Sequence, residues 1–187
     1  MRLTTKLSRG LLVATVFALS SCTEANETLE IIDGLPLDVS EAEFKIAKST
    51  ARLFNDDRYS AMSNSYLYAP SAPTTYFGHP ASGFGRGFES GRGCFAGVGI
   101  DGLESKQLDA LRKRIGEVVG GDAPTQYSAV SDKYFTNRFS NAKVRVLISA
   151  RRSEASKTGD VFAVSIGVSA TNCDRRLAQG VWGTLTK

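Results

Sequence analysis

The chain has 187 residues, 42% hydrophobic and 22% charged, with 18 Gly, 5 Pro, 3 Cys, one His and a formal net charge of +4. That is enough apolar chain for one domain with its own core, and it excludes a disordered, collagen-like or disulfide-dense mini-protein. A single His excludes any multi-His metal site; no metal and no cofactor is expected.

In chain order, Arg2, Lys6 and Arg9 precede a short apolar run from Leu11 to Leu19, followed by small residues and Cys22. The run is too short to cross about 30 Å of hydrocarbon, so residues 1–21 read as an export signal. The string Leu19-Ser20-Ser21-Cys22 resembles the lipobox of bacterial lipoproteins. That resemblance implies cleavage before Cys22, acyl chains such as palmitate on that residue, and a lipid-anchored, periplasm-facing protein of the cell envelope. Thr23 in the next position, where Asp would resemble an inner-membrane retention signal, favours the outer membrane. The resemblance covers this segment alone and implies no family for the rest.

Loss of the signal removes three positive charges and leaves the mature chain near +1. Residues 23–57 hold nine acids against three bases, a net −6, and residues 58–187 hold seventeen bases against ten acids, a net +7. The expected picture is an acidic tether, residues 22–39 including the lipidated Cys, feeding a mildly basic domain, residues 40–187. Ser40 and Glu43 form a capping box, and Phe44, Ala47, Ala51 and Phe54 recur at helical spacing, which predicts a helix over 41–55.

Residues 59–93 contain three Pro, six Gly and seven aromatics and read as a long irregular binding loop. Tyr76, Phe77, Phe84, Arg86, Phe88 and Arg92 are its candidate contact residues, the rings suited to stacking and the guanidinium groups to carboxylates or phosphates. In the cytoplasm such an Arg, Gly and aromatic mixture would suit RNA; export removes nucleic acid as a partner.

Beyond it the pattern is regular. A buried strand is predicted from Cys94 to Ile100, then a helix capped by Asp101 and Glu104 and ended by Gly120-Gly121, with Leu108, Leu111, Ile115 and Val118 on one face. A strand over 126–136, a hairpin of 143–150 with 160–171, and a short last strand over 181–185 complete an α+β fold. Its antiparallel sheet of about four to five strands has a helix on one face. With Cys22 lipidated, Cys94 and Cys173 form an even pair in an oxidising compartment and are expected to be bonded. The bond would make their two strands antiparallel and adjacent, because bonded Cα atoms lie about 5–6 Å apart.

Catalytic motifs are weak. Ser140-Asn141-Ala142-Lys143 and Lys157-Thr158-Gly159 match two marks of penicillin-binding proteins, but their spacing and settings are wrong. The expected function is non-enzymatic: an anchored envelope lipoprotein that binds or scaffolds another envelope component, protein or cell wall. The alternative is a hydrolase of envelope polymer using an acid on or near 59–93, with Glu89, Asp101 or His79 as the group to find beside another titratable residue.

Overall fold

The computed structural model describes residues 29–54, 63–120, 126–131, 134–153 and 160–173. The expected lipobox with Cys22 and the strand expected over 181–185 lie outside these. No helix among the described residues is long and apolar enough to cross a membrane.

Part of the expected tether is folded. Residues 31–36 form a hairpin of β1 (Ile31–Ile32) and β2 (Leu35–Pro36), and Leu29, Ile32, Leu37 and Val39 belong to the hydrophobic core. The hairpin turns on Asp33-Gly34, both at positive φ (53° and 74°), the requirement of the two-residue turn whose twist matches its strands. The domain therefore begins by Leu29 rather than at residue 40, because these apolar side chains gain burial that a solvated tether would forgo.

Helix α1 (Glu41–Ala47) carries the predicted capping box. The Ser40 hydroxyl accepts from the Glu43 amide and the Glu43 carboxylate accepts from the Ser40 amide. It stops eight residues short of expectation. Residues 52–54 pair in the sheet instead, as β3 (Arg52–Phe54), so ladder hydrogen bonds override the helical spacing.

The described part of the segment expected to be irregular, residues 63–93, is built on strands: β4 (Ser63–Tyr68), β5 (Thr75–Tyr76), β6 (His79–Pro80) and β7 (Gly83–Glu89). Then come β8 (Arg92–Glu104), α2 (Ser105–Val119), β9 (Gln126–Ser131), β10 (Tyr134–Ser140), β11 (Val144–Arg152) and β12 (Val161–Ala170). The helix start moves four residues past Asp101, because β8 continues through Gly102 to Glu104, whose amide donates to Gln107 Oε1 at 2.9 Å. Gly120 ends α2 in the left-handed conformation, as predicted.

The fold is mostly β, a large antiparallel sheet with two helices, and so richer in strand than the expected α+β fold of four to five strands. Eight strands run β3-β4-β7-β8-β12-β11-β10-β9, each neighbouring pair antiparallel. The β11–β12 hairpin is present with Val144, Val146, Ile148, Phe162, Val164, Ile166 and Val168 all buried.

Cross-strand register separates two unlike faces. Tyr66, Arg86, Ala96, Val168, Val146 and Phe139 form one row across six strands. The helices and the β1–β2 hairpin cover this side. The adjacent row on the other side reads Leu67, Gly85, Gly97, Gly167, Leu147 and Arg138, with glycine in its three central strands.

Candidate functional site

Arg86 is where the structure departs furthest from the expected contact surface. It sits midway along β7, fully buried, and its fork holds four backbone carbonyls of the N-terminal segment. Nη1 donates to Pro36 O at 2.6 Å and Leu37 O at 3.3 Å; Nη2 donates to Ile32 O at 3.0 Å and Leu35 O at 2.6 Å. Only a planar, multi-donor cation can serve that many carbonyls at once. Burial weakens its hold on the proton, opposed by the Tyr68 hydroxyl and the Asp33 and Asp38 carboxylates. Arg86 therefore fastens the hairpin internally and is not available to an external carboxylate or phosphate.

The other loop candidates divide the same way. Phe84 and Phe88 join Tyr66 and Tyr68 in an aromatic cluster around Phe44 of α1, with ring centroids 5.2–5.8 Å apart. Tyr76 and Phe77 are buried against each other at 4.9 Å, and the Arg114 guanidinium of α2 lies 5.8 Å from the Phe77 ring. Arg92 alone of the six is exposed, with Nη2 3.7 Å from Asp38 Oδ2. The rings proposed for stacking on a ligand stack on the protein's own core.

Cys94 and Cys173 form the expected disulfide, with Cα atoms 5.8 Å apart, and β8 and β12 are antiparallel neighbours. Glu89 Oε2 lies 3.6 Å from Cys94 Sγ. Glu89, Cys94 and Cys173 thus place three ligand-type atoms within 4.8 Å, but both sulfurs are committed to the disulfide, which leaves one carboxylate to ligate.

A concave site opens elsewhere, where α2 crosses β10, β11 and β12. It is a cleft of about 210 Å³. Its apolar walls are Leu108 of α2 and, across the sheet, Phe135, Ala150 and Phe162. Register places these together: Phe135 faces Ala150 and Arg152 faces Phe162 in their ladders, with the two rings 6.0 Å apart edge to face. Polar groups come from the same elements. Asp109 and Arg112, three residues apart on α2, pair at 3.0 Å. The Arg152 guanidinium carbon lies 5.7 Å from the centre of the Phe162 ring.

Asn137 is the residue the sequence reading missed. It occupies the inward position between Phe135 and Phe139 on β10, is 3% exposed, and its Nδ2 has no hydrogen-bond partner. Arg152 Nε is likewise buried and unpartnered. An amide at an inward position of an otherwise apolar alternation was the available signal, and it requires the strand to extend past residue 136, the end of the expected strand.

No protein-family model, curated protein or solved structure matches this chain.

The cleft's chemistry is then what its residues supply: apolar contact from α2 and from the sheet, with Asp109, Arg112, Asn137 and Arg152 as its polar groups. Glu89, Asp101 and His79 are not among the residues lining it.

Proposed function

We propose that this chain is a lipid-anchored, non-enzymatic protein of the bacterial cell envelope that binds another envelope component. The observation that carries the reading is the Cys94–Cys173 disulfide. A bond of this kind persists in oxidising compartments, and it agrees in compartment with the lipobox ending at Cys22. The folded body supports binding through the cleft between α2 and the sheet, in place of the aromatic residues of 63–93, which are spent on the core.

The anchor is tested by metabolic labelling with a tagged palmitate. Label enters the wild-type chain and fails to enter Cys22→Ser, which leaves the membrane fraction. Label retained in the variant, or absent from both, overturns the reading. Binding is tested by a photo-cross-linker in place of Asp109, an exposed residue at the cleft. Capture of a defined envelope partner is expected from this position, and its absence with the anchor intact removes the binding half of the reading.

A further inference from the structure

We propose that the side of the sheet carrying the β1–β2 hairpin and the two helices lies against a phospholipid surface, an inference that rests on the lipid anchor of the reading above. Among the described residues four large hydrophobic side chains are exposed: Ile31 (52%), Ile46 (82%), Leu53 (49%) and Val118 (42%). Scattered singly, exposed apolar residues are ordinary and call for no partner. These four share one side of the molecule. Ile31 alternates with the buried Ile32 on β1, so it stands on the outer surface of the hairpin, opposite Pro36 in the ladder. Ile46 lies two residues, about 200° of helix, from Phe44, whose ring packs on Tyr66, Tyr68 and Phe88 of the sheet. It therefore points away from the sheet on the hairpin's side. Leu53 is opposite Tyr66 in the β3–β4 ladder and so shares the face of Tyr66, which the helices and hairpin cover. Val118 is on α2, which packs on that same face.

The occupant follows from where the chain leaves this side. Leu29 opens the folded body two residues before Ile31, and six residues, 23–28, separate it from Cys22. Fully extended, the span from Cys22 to Leu29 reaches at most about 25 Å. An acylated Cys22 in the bilayer thus keeps the domain within reach of the headgroups and attaches it through the hairpin layer. Charge does little to oppose contact, although residues 23–57 are acidic. Glu41 pairs with Lys45 at 2.8 Å, Asp33 pairs with Lys48, and Asp38 and Glu30 lie 3.7 Å from Arg92 and Lys143. Four acids of this layer therefore already face bases of the same chain. At a lipid surface, exposed Ile and Leu side chains enter the boundary between headgroups and acyl chains while their polar neighbours stay in water, as in an interfacial amphipathic element.

The test uses the full mature acylated chain in vesicles of phosphatidylethanolamine and phosphatidylglycerol with brominated acyl chains, which quench tryptophan on contact. The chain has a single Trp, so Trp182→Phe gives a silent background. Reporters are then placed one at a time by Ile31→Trp, Ile46→Trp and Ser140→Trp. Ser140 follows the buried Phe139 on β10, so it stands on the opposite side of the sheet. All three positions are exposed, so each variant should fold, checked by circular dichroism. Quenching at positions 31 and 46 should exceed that at 140 by about threefold or more. Because the contact is apolar, it should survive about 0.5 M salt, where charges are screened within about 4 Å. Adding Ile31→Asp and Leu53→Asp to the Ile46→Trp chain should cut its quenching about twofold or more. Equal quenching at the three positions, stronger quenching at 140, or loss of the signal in salt overturns the proposal. So does a dimer of the unanchored Cys22→Ser chain that sedimentation detects and Ile46→Asp abolishes, which assigns the face to a second copy. Mass spectrometry reads acylation separately. An acylated chain without quenching at 31 and 46 removes the docked face and leaves the anchor, whereas a chain purified without acyl groups removes the anchor and the docking with it.

Discussion

Arg86 is a cation with no carboxylate in its first contacts, held by backbone oxygens that the β1–β2 hairpin would otherwise leave turned inward. Replacing it with Lys keeps the charge but gives a point donor of three N–H groups in place of a fork, and at least one of the four carbonyls loses its partner. Hydrogen bonds to charged groups contribute about 1.5–3 kcal/mol each, so Arg86→Lys should destabilise by about 1.5 kcal/mol or more, read as a lower urea midpoint at unchanged slope. Exchange protection of the Leu37 amide, which donates to Glu30 O at 2.7 Å, should fall first. Glu41 gives a second prediction at this scale. Burial works to raise its pKa, but hydrogen bonds from Lys45 (2.8 Å), Tyr66 (2.5 Å) and Asn64 (2.9 Å) outweigh it and hold the carboxyl below its ordinary value of 4.5. A group depressed on folding contributes stability above its unfolded pKa and loses it as pH falls through the folded value. Wild type should therefore lose stability below about pH 4.5 more steeply than Glu41→Gln, compared by urea unfolding at pH 7 and pH 3.

The hairpin and β8 meet at Gly93, and there the packing has no slack. A Cβ on Gly93 would stand 2.3 Å from Leu37 O and 2.8 Å from Val39 O, both backbone atoms that cannot swing aside. Gly93→Ala should therefore lift the N-terminal segment from the sheet and cost about 1–3 kcal/mol. Gly87→Ala, whose Cβ would meet Phe95 Cβ at an ordinary 3.4 Å, should cost less, by the same unfolding measurement. Which elements were legible follows from how each one announces itself. The β11–β12 hairpin alternates apolar and polar residues, and the sequence shows it directly. In β7 the alternation is just as strict, with Phe84, Arg86 and Phe88 inward, but glycine fills the other positions and a charged residue stands in the inward row. Gly is depleted in strands and Arg in cores, so composition argued for a loop where spacing argued for a strand. Asp33-Gly34, Phe77-Gly78 and Ser90-Gly91, each pair at positive φ, are the turns that fold this region, and two-residue turns ending in Gly were its readable signal. The cleft itself was not readable, because Leu108, Phe135, Asn137 and Arg152 meet only once α2, β10 and β11 are in place.

At the scale of the whole molecule, the separation between an acidic N-terminal segment and a basic body becomes a set of contacts. Asp33 pairs with Lys48, Asp38 lies 3.7 Å from Arg92, and Glu30 lies 3.7 Å from Lys143. The outer two are exposed pairs, each worth under about 1 kcal/mol, so they orient the segment more than they hold it. What holds it is Arg86 and the apolar residues from Leu29 to Val39. The disulfide acts over the other half of the chain. Cys94 and Cys173 are 79 residues apart and enclose all of β9–β12 and α2, most of β8, and with them the cleft. In the chain-entropy account, closing a loop of that length stabilises by about 4–5 kcal/mol, acting on the unfolded chain rather than on any native contact. The β8–β12 ladder keeps its hydrogen bonds without it, so the double variant Cys94→Ala, Cys173→Ala should retain its native circular dichroism while its melting temperature falls on the order of 10 °C. The same fall should follow reduction of the wild type by a dithiol and should be absent when the double variant is treated with that reagent. A wild-type melting temperature indifferent to reduction would mean the two strands are held by their ladder alone. The oxidising compartment inferred from the bond would then lose its thermodynamic motive.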